Sequence, residues 1–357
     1  MPGEIYRMSK RISVAELTRF SVDALTGAGM TPSDAQTVAD VLVTTDTWGT
    51  FSHGTGALAT YIRTMGSGGI ARCAKPEVVG EGTAWAIVDG HCAMGMLSSS
   101  LAMNLAIQKA QENTIAWVGV RNGSHFGAAG YYATMAAQRD MVGIAMSNAD
   151  PNMVIPGARG HVIGNNPISY AVPTGSEHPL MLDIALSAVA AGKIFAMKEQ
   201  GQSIPPSWLT DADGLPTCEI GEWPQTGSML PMAGHKGYGI AVLVEVLAGV
   251  LTGAGVLSGV KSWVLQPEER SQLGQAFIAI NVGAIVPLRE FTRRVDHVIQ
   301  ELRQAPKAKG SDRIYVPGEM EWAKREDALK NGIELPDPVY ASLERLGQQL
   351  GIELQAA

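Results

Sequence analysis

Three short runs carry the side chains able to move a proton or hold an anion: Ser52-His53-Gly54, Asn122-Gly123-Ser124-His125-Phe126-Gly127 and Gly234-His235-Lys236-Gly237. In each, an imidazole or ammonium is flanked by glycine or another small residue, which lets a ligand come close to the backbone. Imidazole titrates nearest neutral pH and so suits proton exchange. Ser52 is placed to orient the imidazole beside it, while Gly54 and Gly127 are read as clearing space for a ligand. Lys236 stands where an apolar helix is expected to begin, adding charge to the positive end of the helix dipole. An anion held there would reverse that cost. Asp183 closes the apolar run Leu180-Met181-Leu182, where a carboxylate is costly unless paired; capping the following helix is its alternative role. A lone loop histidine is ordinarily a surface residue, and His91, His161, His178 and His297, without such neighbours, are read as structural. The pattern points to an enzyme pocket for a small anionic molecule rather than to a binding scaffold.

The elements that must position these groups are set by length and patterning. A chain of 357 residues exceeds one core, so two or three lobes are expected. A net charge of −7 with scattered basic residues argues against nucleic acid or an anionic membrane as the partner. Cys73, Cys92 and Cys218 are odd in number and lack CxxC spacing, which excludes a fully paired disulfide framework and a cysteine zinc cluster. Reduced thiols in a cytoplasm are the expectation. Met1-Pro2-Gly3-Glu4 begins without a charged-then-apolar signal pattern. The apolar stretch 240–251, broken by Glu245 and Gly249, is too short to span a bilayer.

Ser13-Val14-Ala15-Glu16 reads as a capping box, followed by Leu17, Phe20, Ala24 and Leu25 at helical spacing. Thr31-Pro32 opens a second helix with a buried stripe of Ala35, Val38, Ala39 and Leu42. This helical hairpin delivers Ser52-His53-Gly54 at or just beyond a helix end. Strands are expected over 84–88, 115–120, 142–147, 168–172, 180–184 and 276–282. Helices are expected over 97–113, 127–138, 187–200 and 235–251, with Asn122-Gly123 as a turn and 150–166 and 201–217 as loops. The C-terminus returns to helix, with Val339, Leu343, Leu346 and Leu350 as its stripe.

No dinucleotide fingerprint survives inspection. Gly54-Thr55-Gly56-Ala57-Leu58-Ala59 matches G-x-G-x-x-A formally, but the segment before it is polar and helical instead of a buried strand. Gly253-Ala254-Gly255 follows a helix. No P-loop and no H-E-x-x-H occur, so neither phosphoryl transfer nor zinc hydrolysis has support, and no metal site is expected.

Eight segments in order resemble the malate/L-lactate dehydrogenase family of NAD(P)-dependent oxidoreductases that lack a Rossmann fold. They are Ser52-His53-Gly54, 124–131, Gly164-Asn165-Asn166-Pro167-Ile168, Asp183-Ile184-Ala185, 204–208, Gly214-Leu215-Pro216-Thr217, 234–239 and Val316-Pro317-Gly318-Glu319. The resemblance implies an α/β, non-Rossmann fold: a mixed β-sheet cofactor lobe and a helical lobe formed by both termini. The division expected is a helical lobe from 1–75 and 285–357, an NAD(P)-binding mixed-sheet lobe from 76–120 and 180–284, and a small α/β lobe from 121–179.

By the same resemblance, His53 is the acid/base, Asp183 orients and supports it, and His125 is a second candidate for the acid/base. NAD or NADP would contact His125, Phe126, Gly127, Ala149, Asp183, Ile184, Ala185, His235, Lys236, Gly318, Glu319 and Met320. Substrate would contact Ser52, His53, Asn166 and Lys236. Relatives commonly carry an arginine three residues beyond the Gly of Ser-His-Gly; here Ala57 stands there, so no bidentate donor meets a substrate carboxylate at that position. Arg63, Arg121 or Lys236 would have to supply the charge, or the substrate is not a simple 2-keto acid. Ala149 likewise replaces a serine found at the cofactor site of some relatives. A homodimer is implied.

The activity so implied is hydride transfer between NAD(P)H and a 2-keto or 2-hydroxy acid of malate, lactate, sulfolactate or ureidoglycolate type. Reduction of a cyclic imino acid is the alternative. Two further readings are a pyridoxal-phosphate enzyme using Lys236, since a Schiff-base lysine also needs a close-packed setting, and a non-catalytic metabolite binder.

Overall fold

The computed structural model describes residues 8–355, so Met1-Pro2-Gly3-Glu4, read above for a signal pattern, lies outside the described residues. Strand β1 (Met8–Ile12) leads into helices α1 (Val14–Gly27) and α2 (Pro32–Thr47). The Ser13 hydroxyl accepts the Glu16 N–H at 3.1 Å, as a capping residue should. The reciprocal half of the expected box does not form. The Glu16 carboxylate is taken by Arg19 and by the Gln355 N–H, which ties the start of the chain to its end.

Beyond α2 come two 3-10 turns, Phe51–His53 and Thr55–Ala57, and helix α3 (Leu58–Ser67). The sheet region then runs β2 (Glu77–Glu81), β3 (Trp85–Asp89), α4 (Gly95–Asn113), β4 (Ile115–Gly123), α5 (Ala129–Ala137), β5 (Met141–Ser147), β6 (Ile168–Val172) and β7 (Leu180–Ile184). After α6 (Ala191–Glu199), a small antiparallel sheet is formed by β8 (Leu209–Thr210), β9 (Pro216–Thr217) and β10 (Ser228–Met229). Helix α7 (His235–Val244) continues as a π-helical turn over Glu245–Val250. Strand β11 (Leu273–Asn281), α8 (Leu288–Gln304), α9 (Glu319–Asn331), β12 (Ile333–Pro336) and α10 (Asp337–Leu350) complete the chain.

Seven strands form one mixed sheet in the order β2-β3-β4-β11-β5-β6-β7, in which only the β3–β4 pair is parallel. Strand alternation sorts side chains between two cores. On β11, Phe277 and Ala279 join the core under α4 and α5, while Ala276 and Ile278 join the opposite core with Ala241, Val244 and Ala248 of α7 and its continuation. Helix α5 can lie close because its residues are small: a Cβ on Gly143 of β5 would meet the Ala133 carbonyl at 2.3 Å. β1 pairs antiparallel with β12, and α1, α2 and α10 pack in the first core, so both termini build the helical lobe.

The 121–179 stretch, read from sequence as a small lobe, contributes β5 and β6 to the same sheet as its neighbours. Asn122-Gly123 does not turn the chain either. It closes β4, with Gly123 paired to Leu273, and Asn122 sits at φ +49° while its amide grips Asp89. Residues 187–190, expected to be helical, are not; Ser187 bridges to Pro231 and the helix begins only at Ala191. No helix of the described residues is long and apolar enough to cross a membrane.

Phe277 is fully buried at the centre of the sheet and meets Phe126 and Tyr132 edge-on. Phe277→Ala should lower the unfolding free energy by about 3–5 kcal/mol, read as a lower urea midpoint. A midpoint equal to wild type would show that the sheet core does not depend on this ring.

Candidate active site

His53 ends the first 3-10 turn after α2, half-buried. The Ser52 hydroxyl lies 3.0 Å from its Nδ1, the orienting contact expected from the sequence. No described residue bonds its Nε2. Burial lowers its pKa below the ordinary histidine value of 6.5.

His125 follows β4 and its ring centroid lies 5.5 Å from that of His53. Its backbone is fixed from two sides. The Gln275 amide of β11 donates to the Ser124 carbonyl at 3.1 Å, and Gly95, at the start of α4, packs so tightly that a Cβ would meet the His125 carbonyl oxygen at 2.4 Å. The Tyr61 hydroxyl, on α3, bonds Nδ1 of His125. Burial pushes the Tyr61 phenol well up, so it remains protonated and donates, which leaves the imidazole proton on Nε2. Trp263 stacks on both rings, 4.5 Å from His125 and 4.7 Å from Tyr61. Burial first, then the neighbouring His53, hold His125 well below the ordinary value. Both imidazoles are therefore neutral at pH 7.

Asp183 lies one residue before the end of β7, opposite Ser169 of β6. Its carboxylate accepts the Gly130 N–H at 2.7 Å and so caps α5, an earlier helix than the one its alternative role named. The carboxyl is open to solvent on one side yet hemmed in by protein, and this confinement raises it to about 6. Its link to His53 runs through the 127–130 segment, since Gly127 packs on the His53 carbonyl; the side chain bonded to His53 is Ser52. Two further contacts bring the remaining motifs here. Gly192 of α6 lies against Ser52, and the Ser187–Pro231 bridge ties the exit of β7 to the entry of α7. Ile184 and Ala185 are half-buried beside that exit, while His235 and Lys236 are exposed at the N-terminus of α7.

Several residues assigned from the sequence serve other ends. Asn166, expected to touch substrate, is fully buried. Its Oδ1 accepts the Ala149 N–H, and its Nδ2 donates to the Ala241 carbonyl and to Glu245 at 2.8 Å, leaving nothing for a ligand. Phe126, expected at the cofactor, stacks on Tyr132 in the core. Gly54 makes room for protein instead of ligand, because a Cβ there would sit 1.9 Å from Oδ1 of Asp46. Gly127, at φ +77°, similarly faces Val41 and Met96. The Glu319 carboxylate is held by Arg303, Arg313 and the Val316 N–H, and Gly318 packs on Met181, whereas Met320 is exposed. Lys236, lying exposed, lacks the enclosed setting a Schiff-base lysine needs.

Ala57 is buried, so no cation fills the family arginine's position. Arg121 is paired with Asp89, and Arg63 donates to the Val264 carbonyl. Of the three candidate cations only Lys236 has no partner among the described residues.

Three residues of the site escaped the sequence reading: Tyr61, Trp263 and Asp46. Tyr61 lies two helical turns beyond His53, the one signal available for it. Trp263 arrives from a distant loop, anchored by Thr64 and Arg63 on α3. Asp46 extends the apolar stripe of α2 one turn past Leu42, and a carboxylate on such a stripe is itself a signal.

A family model described as malate/L-lactate dehydrogenase matches residues 12–344. The chain is 36% identical to a malate dehydrogenase of Pyrococcus abyssi over 350 residues, covering 96% of each. It is 32% identical to the ureidoglycolate dehydrogenase (NAD(+)) of Escherichia coli K12, covering 93% of this chain and 95% of that one. The solved structure of malate dehydrogenase from Pyrococcus horikoshii OT3 superposes with a TM-score of 0.88 at 33% identity, over 99% of this chain and 98% of the other.

The neutral imidazoles set a sign for the pH dependence. A histidine with a lowered folded value contributes stability that is present above 6.5 and lost as pH falls below it. The gap in Tm between wild type and His125→Asn should therefore be larger at pH 8 than at pH 5. A gap that grows on acidification would mean that His125 is protonated in the fold.

Proposed function

Because the chain belongs to the malate/L-lactate dehydrogenase family, we propose that it moves a hydride reversibly between NAD or NADP and the α-carbon of a 2-hydroxy acid. The observation that carries this reading is the pair His53 and His125, two neutral imidazoles 5.5 Å apart, each fixed through Nδ1 and each with Nε2 unclaimed by described residues. A hydroxy acid losing hydride must also lose its hydroxyl proton. His53, oriented by Ser52, accepts that proton, and its neutral form is the one able to do so. His125, with its proton on Nε2, donates a hydrogen bond to the same oxygen and holds it in place.

The residues present suit a dinucleotide without a glycine-rich loop. His235 and Lys236 are exposed at the positive end of a ten-residue helix, which favours a pyrophosphate. Asp183, Ile184 and Ala185 would hold the nicotinamide, which when bound would supply or take the hydride. Lys236 is the cation left to attract a substrate carboxylate, since Ala57 offers none. The buried Ala57 also favours substrates that do not need a bidentate guanidinium clamp.

A second copy of the chain belongs to the same proposal. Leu243, Val246, Val250 and Leu251, on α7 and its continuation, are 53, 44, 61 and 55% exposed. An apolar stripe of this kind calls for a cover.

Three measurements test the proposal: turnover, cofactor affinity and mass in solution. NADH or NADPH should be consumed with one or more members of a panel of 2-keto and cyclic imino acids, followed by nicotinamide absorbance. His53→Ala should cut turnover by about 10²–10⁴-fold with cofactor affinity unchanged. Cofactor binding with no turnover on any acid would leave a metabolite binder, and near-wild-type turnover in His53→Ala would remove His53 from the reaction. Light scattering should give twice the 37.7 kDa chain mass, and a Leu243→Glu, Val250→Glu variant should fall to one copy.

A further inference from the structure

We propose that Asp46 is a positioning residue, a neutral carboxylic acid that seats the Ser52-His53-Gly54 turn through Thr55 while lending His53 no charge. The inference rests on the histidine chemistry proposed above. Asp46 is 1% exposed, on the last turn of α2. One carboxyl oxygen, Oδ2, accepts both the N–H of Thr55, at 3.1 Å, and the Thr55 hydroxyl. These bonds clamp the start of the second 3-10 turn, one residue past Gly54. The other oxygen, Oδ1, is buried with no hydrogen-bond partner and presses on Gly54, where any side chain would collide with it. The Leu42 carbonyl, an acceptor, faces the same spot, 3.0 Å from where that Cβ would stand.

An ionised carboxylate needs donors or a cation on both oxygens, and a buried one without them is strongly disfavoured. None is supplied to Oδ1. The titratable groups on elements packed against α2 are His53 in the turn, Tyr131 and Tyr132 on α5, and Glu319, Glu321, Lys324, Arg325, Glu326, Asp327 and Lys330 on α9. To these α1 adds Glu16, Arg19 and Asp23, and α4 adds Lys109 and Glu112. Arg325 is spent on the Thr47 hydroxyl, Arg19 on Glu16 and Asp23, and Lys109 on Glu81. None of them bonds Asp46. In keeping with this geometry, burial pushes the carboxyl up to about 7 against the pull of the Thr55 bonds.

Neutrality has a use. A carboxylate beside His53 would favour the imidazolium, whereas the lowered pKa of His53 reflects burial alone. A protonated acid gives the turn a rigid, two-bonded seat and leaves the imidazole free to accept a proton. Asparagine copies that seat: its carbonyl can take the Thr55 bonds, and its amide replaces the protonated oxygen.

The test compares wild type, Asp46→Asn and Asp46→Ala by NMR titration of the His53 ring, melting at several pH values, and steady-state kinetics. Asp46→Asn should leave the His53 midpoint unchanged; a downward shift would reveal a lost negative charge and overturn the proposal. A carboxyl whose folded value is raised contributes stability that is lost as pH rises toward that value. The Tm of wild type relative to that of Asp46→Asn should therefore fall as pH rises from the ordinary aspartate value of 3.8 to about 7. A relative Tm that stays flat or rises over that range would also overturn it.

Asp46→Ala should lower kcat by roughly ten- to a hundredfold at similar KM, as a small misplacement of a reacting group does, and Asp46→Asn should restore it. Full activity in Asp46→Ala would show that the turn needs no such seat. Should Asp46→Ala fail to fold, Thr55→Val, which removes one of the two bonds, should show the same fall in kcat; unchanged kcat there would count against the clamp. If wild type turns over no acid, the dehydrogenase reading fails, while ring titration and melting still decide the state of Asp46.

Discussion

The pairing of β11 with both β4 and β5 is the constraint from which the site follows. These two strands are consecutive in the sequence, but β11, more than a hundred residues further on, lies between them and bonds to each. Its Gln275 reaches the Ser124 carbonyl and so fixes the segment that carries His125. Gly274, next in line, accepts no side chain because a Cβ there would lie 1.8 Å from the Ala248 carbonyl, so the same strand locks the helical run from α7 against the sheet. Insertion of one strand thus aligns the histidine loop, the end of β5 and the helix that bears His235 and Lys236.

Around this frame, buried polar groups act as staples. Glu245 accepts from Asn166, Asn148 and the Leu257 N–H, joining the π-helical turn to the ends of β5 and β6 and to the loop that delivers Trp263. Such a network is stable only if every member is satisfied. It accounts for a carboxylate inside an apolar helix, which hydropathy alone presents as an interruption. It also shows why Asn166 is occupied: its polar atoms hold the backbone of Ala149 in place.

Much of the fold was legible because it is local. The strands expected over 142–147, 168–172 and 180–184 and the helix expected over 97–113 correspond to β5, β6, β7 and α4. The histidine, aspartate and lysine runs were visible from residue type, and rejecting Gly54-Thr55-Gly56 as a dinucleotide loop agrees with its place at the junction with, and inside, a second 3-10 turn. What stayed hidden is non-local. Glycine can accommodate a ligand or another part of the protein, and only the packing shows that Gly54 and Gly127 do the latter. The strand order that merges 121–179 into one sheet depends on pairing across most of the chain. Asn122-Gly123 reads as a turn, yet the pairing of Gly123 with Leu273 overrides that local preference.

The indole of Trp263, lying nearly parallel to the imidazole of His125, sets an optical gauge against that ring. A charge appearing on that ring, or a ligand wedged beside it, alters the field across the indole face. Intrinsic emission from this position therefore tracks occupancy and protonation without an added dye.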